Sequence, residues 1–193
     1  MARRHKHNLS HYHLLTGDMG KLYPIGLVEA LPNDTFQHSC SVFLRFSPMA
    51  APVMHPVTVR VHHFFVPHRL VWLSTGPLDG WENFITGGPD GNNTDTIPQL
   101  MSSGAANDLW DYFGVPRVSG LSLNALPIRA FNHIWNEWYR DQDLAAERTP
   151  IDVTVPNIAW EKDYFTTARP WTQKGPNVTM PLGDYAPVRG LGK

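Results

Sequence analysis

The chain is poor in charge, nearly devoid of cysteine, and has no long apolar run. Only 17% of its 193 residues are Asp, Glu, Lys or Arg, against about 25% in an average soluble domain. The single cysteine, Cys40, excludes an internal disulfide framework and a cysteine-rich zinc site, and suits a reducing compartment. No apolar stretch reaches transmembrane length. The basic start, Met1-Ala2-Arg3-Arg4-His5-Lys6-His7, is followed by no apolar h-region, so it does not read as a secretory signal. No nucleophile elbow, Walker A loop or dinucleotide fingerprint is present. A net charge of −1 argues against a generally basic nucleic-acid-coating protein and leaves room for a local basic patch.

What the chain does hold is proline, glycine and aromatic side chains: 17 Pro, 15 Gly and seven Trp. Few charges with many prolines and aromatics suit long irregular segments and much surface buried against partners, because interface cores are depleted in charge and enriched in aromatics. The length permits a core that buries roughly 70% of the unfolded surface.

Three regions follow from the pattern. Residues 1–22 read as an arm, with Arg3, Arg4 and Lys6 the only formal side-chain charges before Asp18. Setting those three aside leaves 13 basic against 17 acidic residues, so the positive charge is local. Residues 23–73 carry two alternating stretches. In 35–46, Phe36, Cys40, Val42, Leu44 and Phe46 share one parity, with His38 as the polar exception. In 57–66, Val57, Val59, Val61, His63 and Phe65 face one way, and Thr58, Arg60 and His62 the other. Period-2 alternation predicts half-buried strands, with Cys40 a buried, inert thiol. Residues 74–193 read as loops and helices: a loop over 74–96, a short helix over Ala105–Phe113 closed by Gly114, and a Trp-rich helix over Ile128–Tyr139 with Pro127 in its first turn. Residues 149–160 read as extended and the tail from Arg169 as loop. Two strands and two helices leave sheet edges unpaired, so further strands are expected from other chains or from continuation of this one.

Three chemistries are open to these residues. Arg3, Arg4 and Lys6 suit sequence-independent phosphate contacts, or else a charged terminus that simply stays solvated. The pairs His5/His7, His11/His13 and His62/His63 suit a metal, although no acidic ligand lies near the first two and His62 and His63 point to opposite faces of a strand. Glu137, Arg140 and Asp141 read as a solvated helix face rather than an acid–base set. No cofactor is implied.

Five segments in order carry a resemblance. They are Ile25–Phe36 (IGLVEALPNDTF), His63–Trp72 (HFFVPHRLVW), Trp81–Gly88 (WENFITGG), Leu126–Gln142 (LPIRAFNHIWNEWYRDQ) and Asp163–Pro176 (DYFTTARPWTQKGP). Together they resemble the major capsid proteins of the Microviridae, particularly the gokushovirus group of small single-stranded DNA phages. The resemblance implies a viral jelly roll, an eight-stranded antiparallel β-sandwich with long loop and helical insertions. Residues 35–46 and 57–66 would be its first two strands, in opposite sheets. It implies a non-enzymatic shell protein that forms a T=1 icosahedral homo-oligomer with other phage structural proteins around circular single-stranded DNA. Assembly would occur in the bacterial cytoplasm, with no membrane involved. The Trp-rich helix would face either the barrel or a neighbouring subunit, making Trp110, Phe131, Trp135, Trp138 and Tyr139 packing or intersubunit candidates and Arg3, Arg4 and Lys6 DNA-contact candidates. Family members are much longer, so the chain is expected to be an N-terminal portion. The readings to be weighed against it are a free single-stranded DNA-binding module and a His-rich metalloprotein.

Overall fold

The computed structural model describes residues 5–72, 80–92, 96–159, 161–165 and 167–168. Their regular elements, in chain order, are helices α1 (His68–Val71) and α2 (Trp81–Thr86), strand β1 (Gln99–Met101), helix α3 (Leu109–Tyr112), strand β2 (Ser122–Asn124) and helix α4 (Leu126–Ile134). A π-helical turn, Trp135–Tyr139, continues α4.

The centre is built around α4. Leu126, Ile128, Phe131, Asn132 and Trp135 are buried, and the last four recur at spacings that place them on one helical face. Ile128 and Phe131 pack with Leu109 and Trp110 of α3, and Leu22, Leu100, Leu123, Val153 and Val155 close around them. Pro127 lies in the first turn, where its missing N–H costs nothing. The Leu126 N–H donates to Asn124 Oδ1 at 2.9 Å, so the cap comes from the end of β2. β1 and β2 pair antiparallel, Leu100 opposite Leu123. Gly104 folds the connection with φ +70°, and a Cβ there would come within 2.7 Å of the Ser119 nitrogen.

A strap, residues 148–158, holds α4 from the other side. Asn132, fully buried, donates through Nδ2 to the carbonyls of Pro150 (3.1 Å) and Asp152 (2.8 Å) and accepts from Arg148 Nε at 2.9 Å. Asn136 exchanges two bonds with the Arg148 backbone. Trp135 Nε1 donates to the Asn157 carbonyl at 2.7 Å, and the Arg148 guanidinium lies 5.6 Å from the Trp135 ring centroid. Each polar group buried here has a partner, as burial demands.

Several expectations are corrected. The helix expected over Ala105–Phe113 is confined to Leu109–Tyr112. Asp108 caps it by accepting from the Asp111 N–H at 2.9 Å, which fixes the start. Its end is as expected: Gly114 takes φ +81°, with Gly114 N–H to Asp111 O and Val115 N–H to Trp110 O, a Schellman closure. The single helix expected over Ile128–Tyr139 begins earlier and changes character at Trp135, where Arg140 N–H bonds to Trp135 O. The wider turn shifts the phase of later side chains. The loop over 74–96 contains α2. There Trp81 stacks on His68 (4.5 Å) and Phe84 packs on buried Trp72 (4.8 Å).

The largest correction concerns 35–46 and 57–66. Neither forms a ladder; among the described residues the sheet pairing is β1–β2 plus one isolated bridge, Lys21–Asn157. Both stretches are irregular and mostly exposed, with Phe43 90%, Val59 50% and Phe65 78% accessible. Cys40 is exposed, not buried. A strand is stable only when a neighbour satisfies its N–H and C=O groups and covers its apolar face, and no described segment does so here. The tail from Arg169 lies outside the described residues.

Candidate assembly and nucleic-acid surfaces

The two faces of 57–66 are treated differently. The even-numbered side chains meet the folded body: Arg60 pairs with Glu161, His62 hydrogen-bonds and stacks on Tyr139, and Phe64 lies 5.9 Å from Trp138 and 6.1 Å from Tyr139. Burial of the Tyr139 hydroxyl pushes its pKa up. The odd-numbered apolar residues Val57, Val59 and Phe65 remain accessible. The parity that reads as polar therefore makes the contacts, although Arg60, His62 and Phe64 stay exposed, and on the apolar parity Val61 is half-buried. His63, on the open face, meets His38 of the other alternating stretch edge-on at 4.2 Å. The apolar parities of the two stretches thus come together at one point.

The packing candidates separate. Trp110, Phe131 and Trp135 are buried in the core, Tyr139 is half-buried, and Trp138 is 72% exposed. The π-helical turn causes the split. Trp138 borders an apolar hollow of about 130 Å³ with Phe64, Phe65, Leu70 and Ile134.

Arg3 and Arg4 lie outside the described residues, while Lys6 is exposed on the arm and pairs with no described carboxylate. Many cations of the body are paired: Arg117 forks onto Asp111 and holds that carboxyl below its usual range, Arg148 meets Asp152, Arg140 meets Glu147, and Lys162 meets Asp141. Lys6 shares its freedom from described carboxylates with Arg45, Arg69 and Arg129.

Residues 16–23 fasten that arm to the body. Tyr112 Oη donates to the Thr16 carbonyl at 2.8 Å, Tyr23 packs on Tyr112 at 4.8 Å, Leu22 N–H bonds to Pro156 O, and Ile158 N–H bonds to Gly20 O. Further out, both ring nitrogens of His11 approach carbonyls, Nδ1 to Leu9 (3.2 Å) and Nε2 to Ile25 (3.3 Å). Only the doubly protonated ring can donate at both positions, so these carbonyls raise the His11 pKa. The sequence offers His11 only as half of a possible metal pair with His13, because its second partner, Ile25, is 14 residues away. Among the described residues no three His, Cys, Asp or Glu side chains converge as a metal group, and no helix is long and apolar enough to cross a membrane.

Buried aromatic packing, an open apolar face and an unneutralised arm describe a subunit built for contact, not a reaction centre. The comparison with known proteins is specific: residues 1–192 match the family of the capsid protein (F protein), and the chain belongs to that family. The family is one of structural capsid proteins, not of enzymes. The chain is 38% identical to capsid protein VP1 of Bdellovibrio phage phiMH2K, over 86% of this chain and 33% of the relative. It is 34% identical to VP1 of Chlamydia phage 1, over 98% and 37%, and 29% identical to VP1 of Spiroplasma virus 4, over 96% and 37%. It therefore spans about a third of the length of these relatives. The resemblance to the Microviridae capsid proteins stands; nothing in the match favours a free DNA-binding module or a metalloprotein.

Proposed function

We propose that this chain is part of a major capsid protein whose copies, with other phage structural proteins, build a small icosahedral virion shell around circular single-stranded DNA. The carrying observation is the family match along residues 1–192. The jelly roll belongs to this proposal. In its favour, 35–46 and 57–66 alternate in polarity and leave most of their apolar parity exposed, while Phe64 of the other parity meets Trp138. An uncovered, unpaired strand face calls for a second sheet. Trp138 and its hollow are the intersubunit candidates, whereas Trp110, Phe131 and Trp135 serve the subunit's own core. Assembly belongs to the host cytoplasm.

Electron microscopy of the full-length capsid protein, produced with and without the other phage structural proteins, tests the reading. Closed particles of uniform size are expected; protein that stays monomeric under both conditions contradicts it.

Arg3, Arg4 and Lys6 are proposed to meet packaged DNA through phosphates. The exposed Lys6, which meets no described carboxylate, supports this. Removing residues 1–7 lowers the slope of log affinity against log salt by about 2 if all three charges meet single-strand phosphates.

A further inference from the structure

We propose that the arm grips single-stranded DNA by base stacking as well as by charge, and that Tyr12, beside the tethered His11 ring, is the stacking platform. The inference rests on the reading of the arm as a DNA contact. Three observations carry it. Tyr12 is 86% exposed and has no described ring partner, whereas Tyr23, Tyr112 and Tyr139 each pack against another ring. An uncovered aromatic face costs free energy in water and gains on meeting a planar base. Second, its neighbour is fixed. The His11 ring is tied back to Leu9 and Ile25. The His11 ring is thus occupied by the neighbouring 25–26 segment, while the Tyr12 ring beside it is left to solvent.

Third, the charge is complementary and the position is anchored. His11 carries positive charge more readily than an ordinary histidine, because both its nitrogens face carbonyls. Lys6 is six residues away on the same exposed arm, within about 20 Å along an extended chain. The root at Thr16–Tyr23 is bonded to Tyr112 and Pro156, so the ring projects from a fixed place on the body. An exposed ring with cations on the same arm before it, at Lys6 and His11, suits a single strand, whose bases are free to stack and whose phosphates take the charge. A duplex, with its bases already stacked, does not offer that partner. Tyr164 packs on Phe165, Phe43 and Phe65 are not on the anchored arm, and Trp138 belongs to the hollow beside Phe64.

Fluorescence anisotropy with the full chain provides the test, using an oligothymidylate and an abasic strand of equal length. Wild type is expected to prefer the oligothymidylate. Tyr12→Ala is expected to weaken that binding by roughly 5- to 150-fold, the span of one aromatic stacking contact, and to abolish the preference over the abasic strand. Tyr12→Phe keeps both within about twofold, since the ring rather than the hydroxyl does the stacking. Tyr12→Ala binding both strands as wild type does, while removal of residues 1–7 lowers affinity, overturns the stacking role and leaves the phosphate reading intact. No binding of either strand by wild type overturns the DNA reading of the arm itself. Because Tyr12 packs on nothing, its variants leave the fold unchanged, which circular dichroism checks.

Discussion

Residues 99–159 and residues 24–66 have similar shares of apolar side chains and opposite fates. In the first, α3, α4 and the β1–β2 pair find partners within sixty residues, and the strap from Arg148 to Ile158 satisfies the polar groups that burial would otherwise orphan. In the second, Phe36, Val42, Leu44, Val57 and Val59 alternate as well as any strand, yet stay accessible. The difference lies in where the partners are. A helix closes its own hydrogen bonds and needs one covered face; a strand needs neighbours on its edges and over its face.

Substitutions can break this comparison, the largest effect first. Ile128→Ala removes a fully buried side chain at the meeting of α3 and α4 and is expected to cost about 2–5 kcal/mol in urea unfolding. Val59→Ala, half exposed, is expected to change the same measurement by less than about 0.5 kcal/mol. Equal losses at both sites would erase the distinction between the regions.

Asn132→Ala leaves two strap carbonyls and the Arg148 Nε without their partner. A loss of about 2–3 kcal/mol is expected, together with faster amide exchange over 148–156. Undisturbed exchange there would show that the strap is held by something else. Phe64→Ala removes the ring against Trp138 and Tyr139, a contact worth about 1 kcal/mol. It should release 57–66 from the body, visible as altered tryptophan fluorescence.

The smallest effect is on the arm. His11 has a raised folded-state pKa, so its contribution to tethering is complete below the unfolded-state value near 6.5. It is lost as pH rises through the raised value. The NMR titration of the His11 ring is expected to lie above the ordinary histidine value near 6.5, and His11→Gln to abolish the tether's contribution to arm exchange. A His11 midpoint at or below the ordinary value would remove the carbonyl tether.

These contrasts show what was legible in the chain itself. Gly114 and Pro127 act through backbone chemistry local to a few residues, so the end of α3 and the start of α4 could be read closely, whereas the Asp108 cap that starts α3 went unread. The π-helical turn could not, because it is held by tertiary bonds, Ala159 N–H to Tyr139 O and Arg140 to the Ala145 carbonyl. That turn separates buried Trp135 from exposed Trp138, which equal helical spacing had grouped together. Asn132 sits among residues that look like a solvated face, and nothing local reveals that a strap sixteen residues on will bury it. The alternation in 57–66 predicts a half-buried strand, but no ladder forms there; Arg60, His62 and Phe64 make the contacts with the body while staying exposed, and these contacts come from Glu161, Trp138 and Tyr139, far along the chain. Of the arm, charge was visible; the tether of His11 to Ile25 and the anchorage at Tyr112 depend on distant contacts.

The account's central claim is that the apolar parity of 35–46 and 57–66 is kept for burial in the assembled subunit. Cys40, the sole cysteine, lies on that parity and is exposed. The rate at which it reacts with a thiol reagent, compared between the 193-residue chain and assembled particles of the full-length protein, is therefore the direct test. The account predicts rapid reaction in the chain and slowing of at least about tenfold in the particle, where reaction must await local opening. Equal rates in both would contradict it.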